Sequence, residues 1–154
     1  MMQPKLLATP FIVLCLAACN ALPVYQPASA EAMNQVRVLG QGEFTMCKDG
    51  TRYKLPLNWP TSNSAYFLVP AGERIGISVF LSQQGYQKII YCSTGLSFIP
   101  KAGEAYVTNT GFHDTKCFIE LVGQDDSRDT GVKQDLTVDF YRCNVKLAKS
   151  DPVK

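Results

Sequence analysis

The sequence predicts an all-β domain, a small antiparallel β-sandwich or barrel with two disulfides. Three observations point that way. Apolar residues recur with period two, most clearly at Ile75, Ile77, Val79 and Leu81. Turn residues (Gly, Pro, Asn, Asp) break the chain at short intervals, and no comparable helical period appears in the body. Cys47, Cys92, Cys117 and Cys143 form an even set in a chain that reads as exported.

Taken in order, Glu43 to Cys47 alternates, and Asp49-Gly50 supplies a two-residue hairpin turn before Thr51 to Leu55. Ala65 to Val69 is the next strand expected, closed by Pro70-Ala71-Gly72. Arg74 to Leu81 follows, with one face in the core. Tyr86 to Cys92, Leu96 to Ile99, Ala105 to Thr108, Lys116 to Val122 and Leu136 to Val145 continue the series. Strands bury aromatic side chains readily, so most of the body's Phe and Tyr residues, Tyr86, Tyr91 and Phe140 among them, are expected in the core or in cross-strand pairs.

The N-terminus has a different character. Met1 to Lys5 is a short positive segment, and Leu6 to Ala18 is an apolar run too short to span a bilayer, which takes about 20 residues. Residues 1–18 therefore read as a signal peptide. Residues 19–41 include Pro23, Pro27 and an Ala-Ser-Ala-Glu-Ala patch and read as a flexible tether, with Ala30 to Val38 compatible with a short helix. The β-rich domain is expected over residues 42–147 and a tail over 148–154.

Leu16-Ala17-Ala18-Cys19 resembles the lipobox of bacterial lipoproteins, with small residues before a cysteine at the end of the apolar run. The resemblance implies that Cys19 becomes the mature first residue and carries diacylglyceryl on its thiol and, as a rule, an acyl chain such as palmitate on its amino group. Several acyl chains at about 0.8 kcal/mol per buried CH₂ make such an anchor durable. Asn20 after the cysteine implies, in the same family, export to the outer membrane, with the domain facing the periplasm. Cys15 would leave with the signal peptide.

Two turns, Pro70-Ala71-Gly72 and Pro100-Lys101-Ala102-Gly103, each lead into a strand, and the stretch from Val69 to Leu121 resembles the PEGA-like β-sandwich modules of envelope lipoproteins. That resemblance implies an envelope binding module without catalytic residues. Phe44-Thr45-Met46-Cys47-Lys48-Asp49-Gly50 is similar to the opening cysteine hairpin of membrane-bound lysozyme inhibitors, which implies inhibition of a hydrolase as the alternative function.

Four cysteines allow three pairings, and sequence alone does not choose among them. Pairing Cys47 with Cys143 would tie the opening strand to the closing one, and Cys92 with Cys117 would join neighbouring strands. Zinc is not expected, because the cysteine spacings are long and His113 is the single histidine.

Fifteen Lys and Arg are set against thirteen Asp and Glu, and the positive residues are scattered. Nucleic acid, which needs a concentrated basic surface, is excluded as a partner. His113 beside Asp114 has no nucleophile placed with it by any motif and reads as a surface residue. Asp125 to Gly131 has oxygen-bearing side chains at alternate positions but lacks the glycine and the acidic residue of a calcium loop, with Leu136 at the twelfth position, and reads as a solvated hairpin loop. Trp59, in a loop bounded by Pro60, is a candidate partner contact or a plug over the core. No catalytic residue, cofactor or metal is expected. Together the resemblances imply an outer-membrane lipoprotein that contacts the bilayer through acylated Cys19 and binds or supports another envelope protein.

Overall fold

The computed structural model describes residues 21–28, 32–58 and 64–143. The readings that fall on the signal peptide, Cys19, Trp59 and the 148–154 tail lie outside them. Among the described residues there is no helix, and ten strands form two five-stranded sheets, which makes the fold a sandwich. Sheet I runs β4 (Ala65–Pro70), β1 (Met33–Leu39), β7 (Tyr106–His113), β8 (Lys116–Gln124), β9 (Val132–Gln134). Sheet II runs β10 (Asp139–Phe140), β6 (Ile89–Phe98), β5 (Ile75–Gln84), β2 (Glu43–Lys48), β3 (Thr51–Lys54). Every pair is antiparallel except β1 with β7.

The period-two pattern sorts side chains as expected. Phe44, Met46, Ile75, Ile77, Val79 and Phe98 of sheet II face Val36, Phe67, Val69 and Tyr106 of sheet I, all at 1% exposure or less. Aromatic pairs bridge the layers: Phe44 meets Phe67 at 5.1 Å, and Phe98 meets Tyr106 edge-on at 5.2 Å. Burying each such side chain contributes about 1.5–3 kcal/mol, which is what holds the layers face to face. The Asp49-Gly50 hairpin turn forms with φ of 51° and 77°, the left-handed pair that this two-residue loop requires.

Four expectations are corrected. Residues 33–39, read as tether or helix, are strand β1, central in sheet I between β4 and β7. Its inward positions are Asn34, Val36 and Val38, and tertiary pairing overrides the helical tendency of the Ala-rich approach. Earlier still, Val24 bridges to Lys54 in parallel, and Tyr25 is buried edge-on against Tyr53, so the domain begins well before residue 42.

Tyr86–Cys92 and Leu96–Ile99 are parts of one strand, β6, because β5 pairs with it over all ten residues. Tyr86 itself stands in the turn, 99% exposed. β7 runs on to His113, beyond the expected Thr108, because β8 pairs with it along its whole length. Finally, of the strand expected over Leu136–Val145, the described residues, which end at Cys143, form strand only at Asp139–Phe140. The Asp135 carboxylate accepts hydrogen bonds from the Thr137 backbone N–H and hydroxyl, both at 2.7 Å, and folds the chain into a turn there.

Candidate functional site

The β5–β6 hairpin outreaches its neighbours. β2 accompanies β5 only as far as Phe80, and β10 covers β6 only at Leu96 and Ser97. Over Ile89–Gly95, β6 therefore has a strand on one side and, among the described residues, none on the other. β8 repeats the arrangement in sheet I. It pairs with β7 throughout but with β9 only at Val122–Gln124, which leaves Lys116–Leu121 open. The disulfide Cys92–Cys117, with Cα atoms 6.1 Å apart, joins the two open edges across the interior.

An unpaired strand presents a row of backbone N–H and C=O groups to any extended chain, and proteins usually blunt such edges with charge or proline. Ile89-Ile90-Tyr91-Cys92-Ser93-Thr94-Gly95 carries neither. The interior also reaches this edge incompletely covered, since Ile90, Cys92, Thr94, Cys117 and Ile119 are only partly buried.

On the outer surface Phe80 and Tyr91 stack at 5.9 Å with 45% and 60% exposure, and Ile89 beside them is 51% exposed. Below the disulfide a groove of about 670 Å³ opens between the sheets, lined by Leu96, Ile119, Leu121, Val138 and Phe140. Phe140, at 83% exposure, stands at its lip. Tyr86 and Phe140 are thus surface residues, against the expectation of core or cross-strand places, whereas Phe80 and Tyr91 form a cross-strand pair on the outward face of β5 and β6. Period-two reading finds a strand's two faces but does not say whether the outward one is covered.

The lip is held in place by sheet II. Arg74 donates to the Thr137 carbonyl at 2.9 Å, Ser97 Oγ donates to the Phe140 carbonyl at 3.0 Å, and the Ile99 N–H donates to Thr137 Oγ1 at 3.0 Å. The chain then crosses the outer face of sheet II, and Cys143 bonds to Cys47 with Cα atoms 5.3 Å apart. The two bridges are thus the expected set, Cys47–Cys143 and Cys92–Cys117, but Cys47 stands on β2 and not on the first strand, and Cys92–Cys117 joins β6 and β8 of opposite sheets and not neighbours within one. The cleft beside Cys47–Cys143 is small, about 60 Å³, and its Arg74 and Arg142 are matched by Asp49 and Asp139. It has neither the room nor the net charge of a ligand site.

His113 and Asp114 lie 3.4 Å apart at the end of β7, both nearly fully exposed. In the 125–131 loop the Asp125 carboxylate accepts from the Ser127 hydroxyl at 2.6 Å and faces Arg128 at 3.2 Å. The Ser127 hydroxyl is the main cause holding the Asp125 pKa below the usual carboxylate value. Among the described residues no group of three or more His, Cys, Asp or Glu is arranged to hold a metal.

No family model, curated protein or solved structure matches this chain. A strand edge without charge, flanked by exposed aromatics and an apolar groove, can accept an extended polypeptide: main-chain hydrogen bonds supply affinity and the groove selects side chains.

Proposed function

We propose that the protein is a lipid-anchored envelope lipoprotein whose β-sandwich is a protein-binding module, engaging its partner by strand addition at the β6 edge. The open, uncharged run Ile89–Gly95 carries this reading. Acylated Cys19 would attach the domain to the outer membrane. Because Pro23–Tyr25 already hydrogen-bond to β3, the sandwich would sit close to the bilayer and not at the end of a long tether.

Amide hydrogen exchange tests the binding edge. In intact envelopes the alternate amides of Ile89–Gly95 that point away from β5 should exchange slowly, and after dilution in detergent quickly, while those bonded to β5 stay protected in both. Fast exchange of the edge in intact envelopes would sink strand addition. Mass spectrometry of the mature N-terminus tests the anchor, where an unmodified Cys19 overturns it.

A further inference from the structure

We infer that the chain occupying this edge is a second copy of the protein, paired about a two-fold axis that crosses both sheets at the Cys92–Cys117 disulfide. The inference rests on the strand-addition reading and names its partner. What favours a second copy is that the edge is complementary to itself.

The outward side chains of the open run are Ile89, Tyr91, Ser93 and Gly95, two large and then two small. An antiparallel partner centred on Cys92 sets Ile89 opposite Gly95 of the second copy and Tyr91 opposite Ser93 of the second copy. Tyr91 thus meets a small side chain, Ser93 leaves room between Phe80 and the incoming tyrosine, and Ile89 comes against the edge of the Tyr141 ring that lies over Gly95. No charge lies in the run, so no like charges meet.

The same axis suits sheet I. Centred on Phe118, one residue from the disulfide, antiparallel pairing of the two β8 strands brings Lys116 opposite Glu120 of the second copy, twice by symmetry. Both are exposed in the single chain and of opposite sign.

The ends of the run also match. The partner strand has seven positions before it meets β10 at Leu96, and the second copy reaches its own turn, Gly85–Lys88, at that point. Its Tyr86 and Lys88 arrive beside Phe140 and Asp139. The most exposed aromatic of the hairpin tip is thereby set against the exposed aromatic of the lip, and a cation against an anion. The result is two continuous ten-stranded sheets. Sheet II remains one layer, so both N-terminal segments, each against β3, leave from that layer and both Cys19 lipids can enter one bilayer.

The test uses the full chain, expressed in a bacterial envelope as two forms with different epitope tags. A photo-crosslinking amino acid replaces Ile89 and, as a control on the opposite side of the sandwich, Leu68. Irradiation should give a product of twice the chain mass bearing both tags from position 89 and none from position 68. Ser93→Tyr sets large against large and should lower the yield about tenfold. The exchange Tyr91→Ser with Ser93→Tyr restores large against small and should recover the product. A position-89 product joined only to a different protein overturns the second-copy inference and leaves strand addition standing. The absence of any product there overturns both.

Discussion

The ring of Tyr141 lies against Gly76. A Cβ built on that glycine would stand 2.8 Å from Cε2 of the ring and 3.3 Å from the Arg142 carbonyl, closer than packed atoms allow. On the neighbouring strand Gly95 is similarly placed, 3.0 Å from the ring and 2.7 Å from the Ile77 carbonyl. The C-terminal chain therefore crosses sheet II in a track that these two glycines leave open, and Cys47–Cys143 fastens its end. Gly76→Ala is expected to lower stability by about 1–3 kcal/mol, the usual cost of overfilling a packed contact. Tyr141→Phe should leave stability unchanged or raise it, since the hydroxyl is buried without a partner among the described residues. Urea unfolding midpoints decide both, and an unaffected Gly76→Ala would mean that the ring is not held there.

Asn34 offers a second probe. It points inward from β1 at 2% exposure, with neither amide atom hydrogen-bonded among the described residues. Leucine has the same branched four-atom side chain, somewhat bulkier, and no polar atoms to desolvate. Asn34→Leu should therefore stabilise the domain by about 1–2 kcal/mol. A melting temperature that falls on this substitution would show that the amide has a structural role after all.

The same residue explains what the sequence concealed. With Asn34 at an inward position, β1 shows only Val36 and Val38 as alternating apolar residues, and an Ala-rich approach disguises even those. By contrast the Ile75–Leu81 alternation, the Asp49-Gly50 turn and the four body cysteines are local signals, and each of them has its counterpart in the fold. The binding edge lay in between. Its residues, Ile89 to Gly95, are visible as an uncharged strand, but the openness of one side depends on how far β2 and β10 extend, which is a matter of long-range register. The Asp135–Thr137 turn that cuts β10 short is the local event behind it.

The two disulfides should differ in weight. Each constrains the unfolded chain, and the entropy removed grows with the logarithm of the loop enclosed. Cys47–Cys143 spans 96 residues and Cys92–Cys117 spans 25. Replacing the first pair by serines should cost about 1 kcal/mol more than replacing the second. Equilibrium unfolding of the two double variants measures the difference, and equal costs would point to effects in the native state outweighing chain entropy. Loss of Cys92–Cys117 should also loosen the joined β6 and β8 edges, which hydrogen exchange at Ile90 and Ile119 would register.

Alkaline pH supplies the last prediction, through Tyr106. Its ring is buried between the sheets, its hydroxyl oxygen accepts from the Lys101 N–H at 2.9 Å, and the hydroxyl lies 3.4 Å from the Glu104 carboxylate. Burial is the chief cause that raises its pKa above 10.0, opposed by the Lys101 hydrogen bond and assisted by the Asp135 and Glu104 charges. The folded protein thus keeps this proton at a pH where the unfolded chain loses it. The associated stability is complete below about pH 10 and declines as pH rises through that value towards the raised one. Tyr106→Phe removes the titration and leaves the Lys101 N–H without its acceptor, so the variant should be less stable at pH 7 by about 1 kcal/mol. That gap should narrow as pH rises above 10, as the wild-type protein loses its advantage. Paired unfolding curves across this range test the assignment, and a gap that stays constant with pH would show that Tyr106 does not titrate differently in the folded and unfolded states.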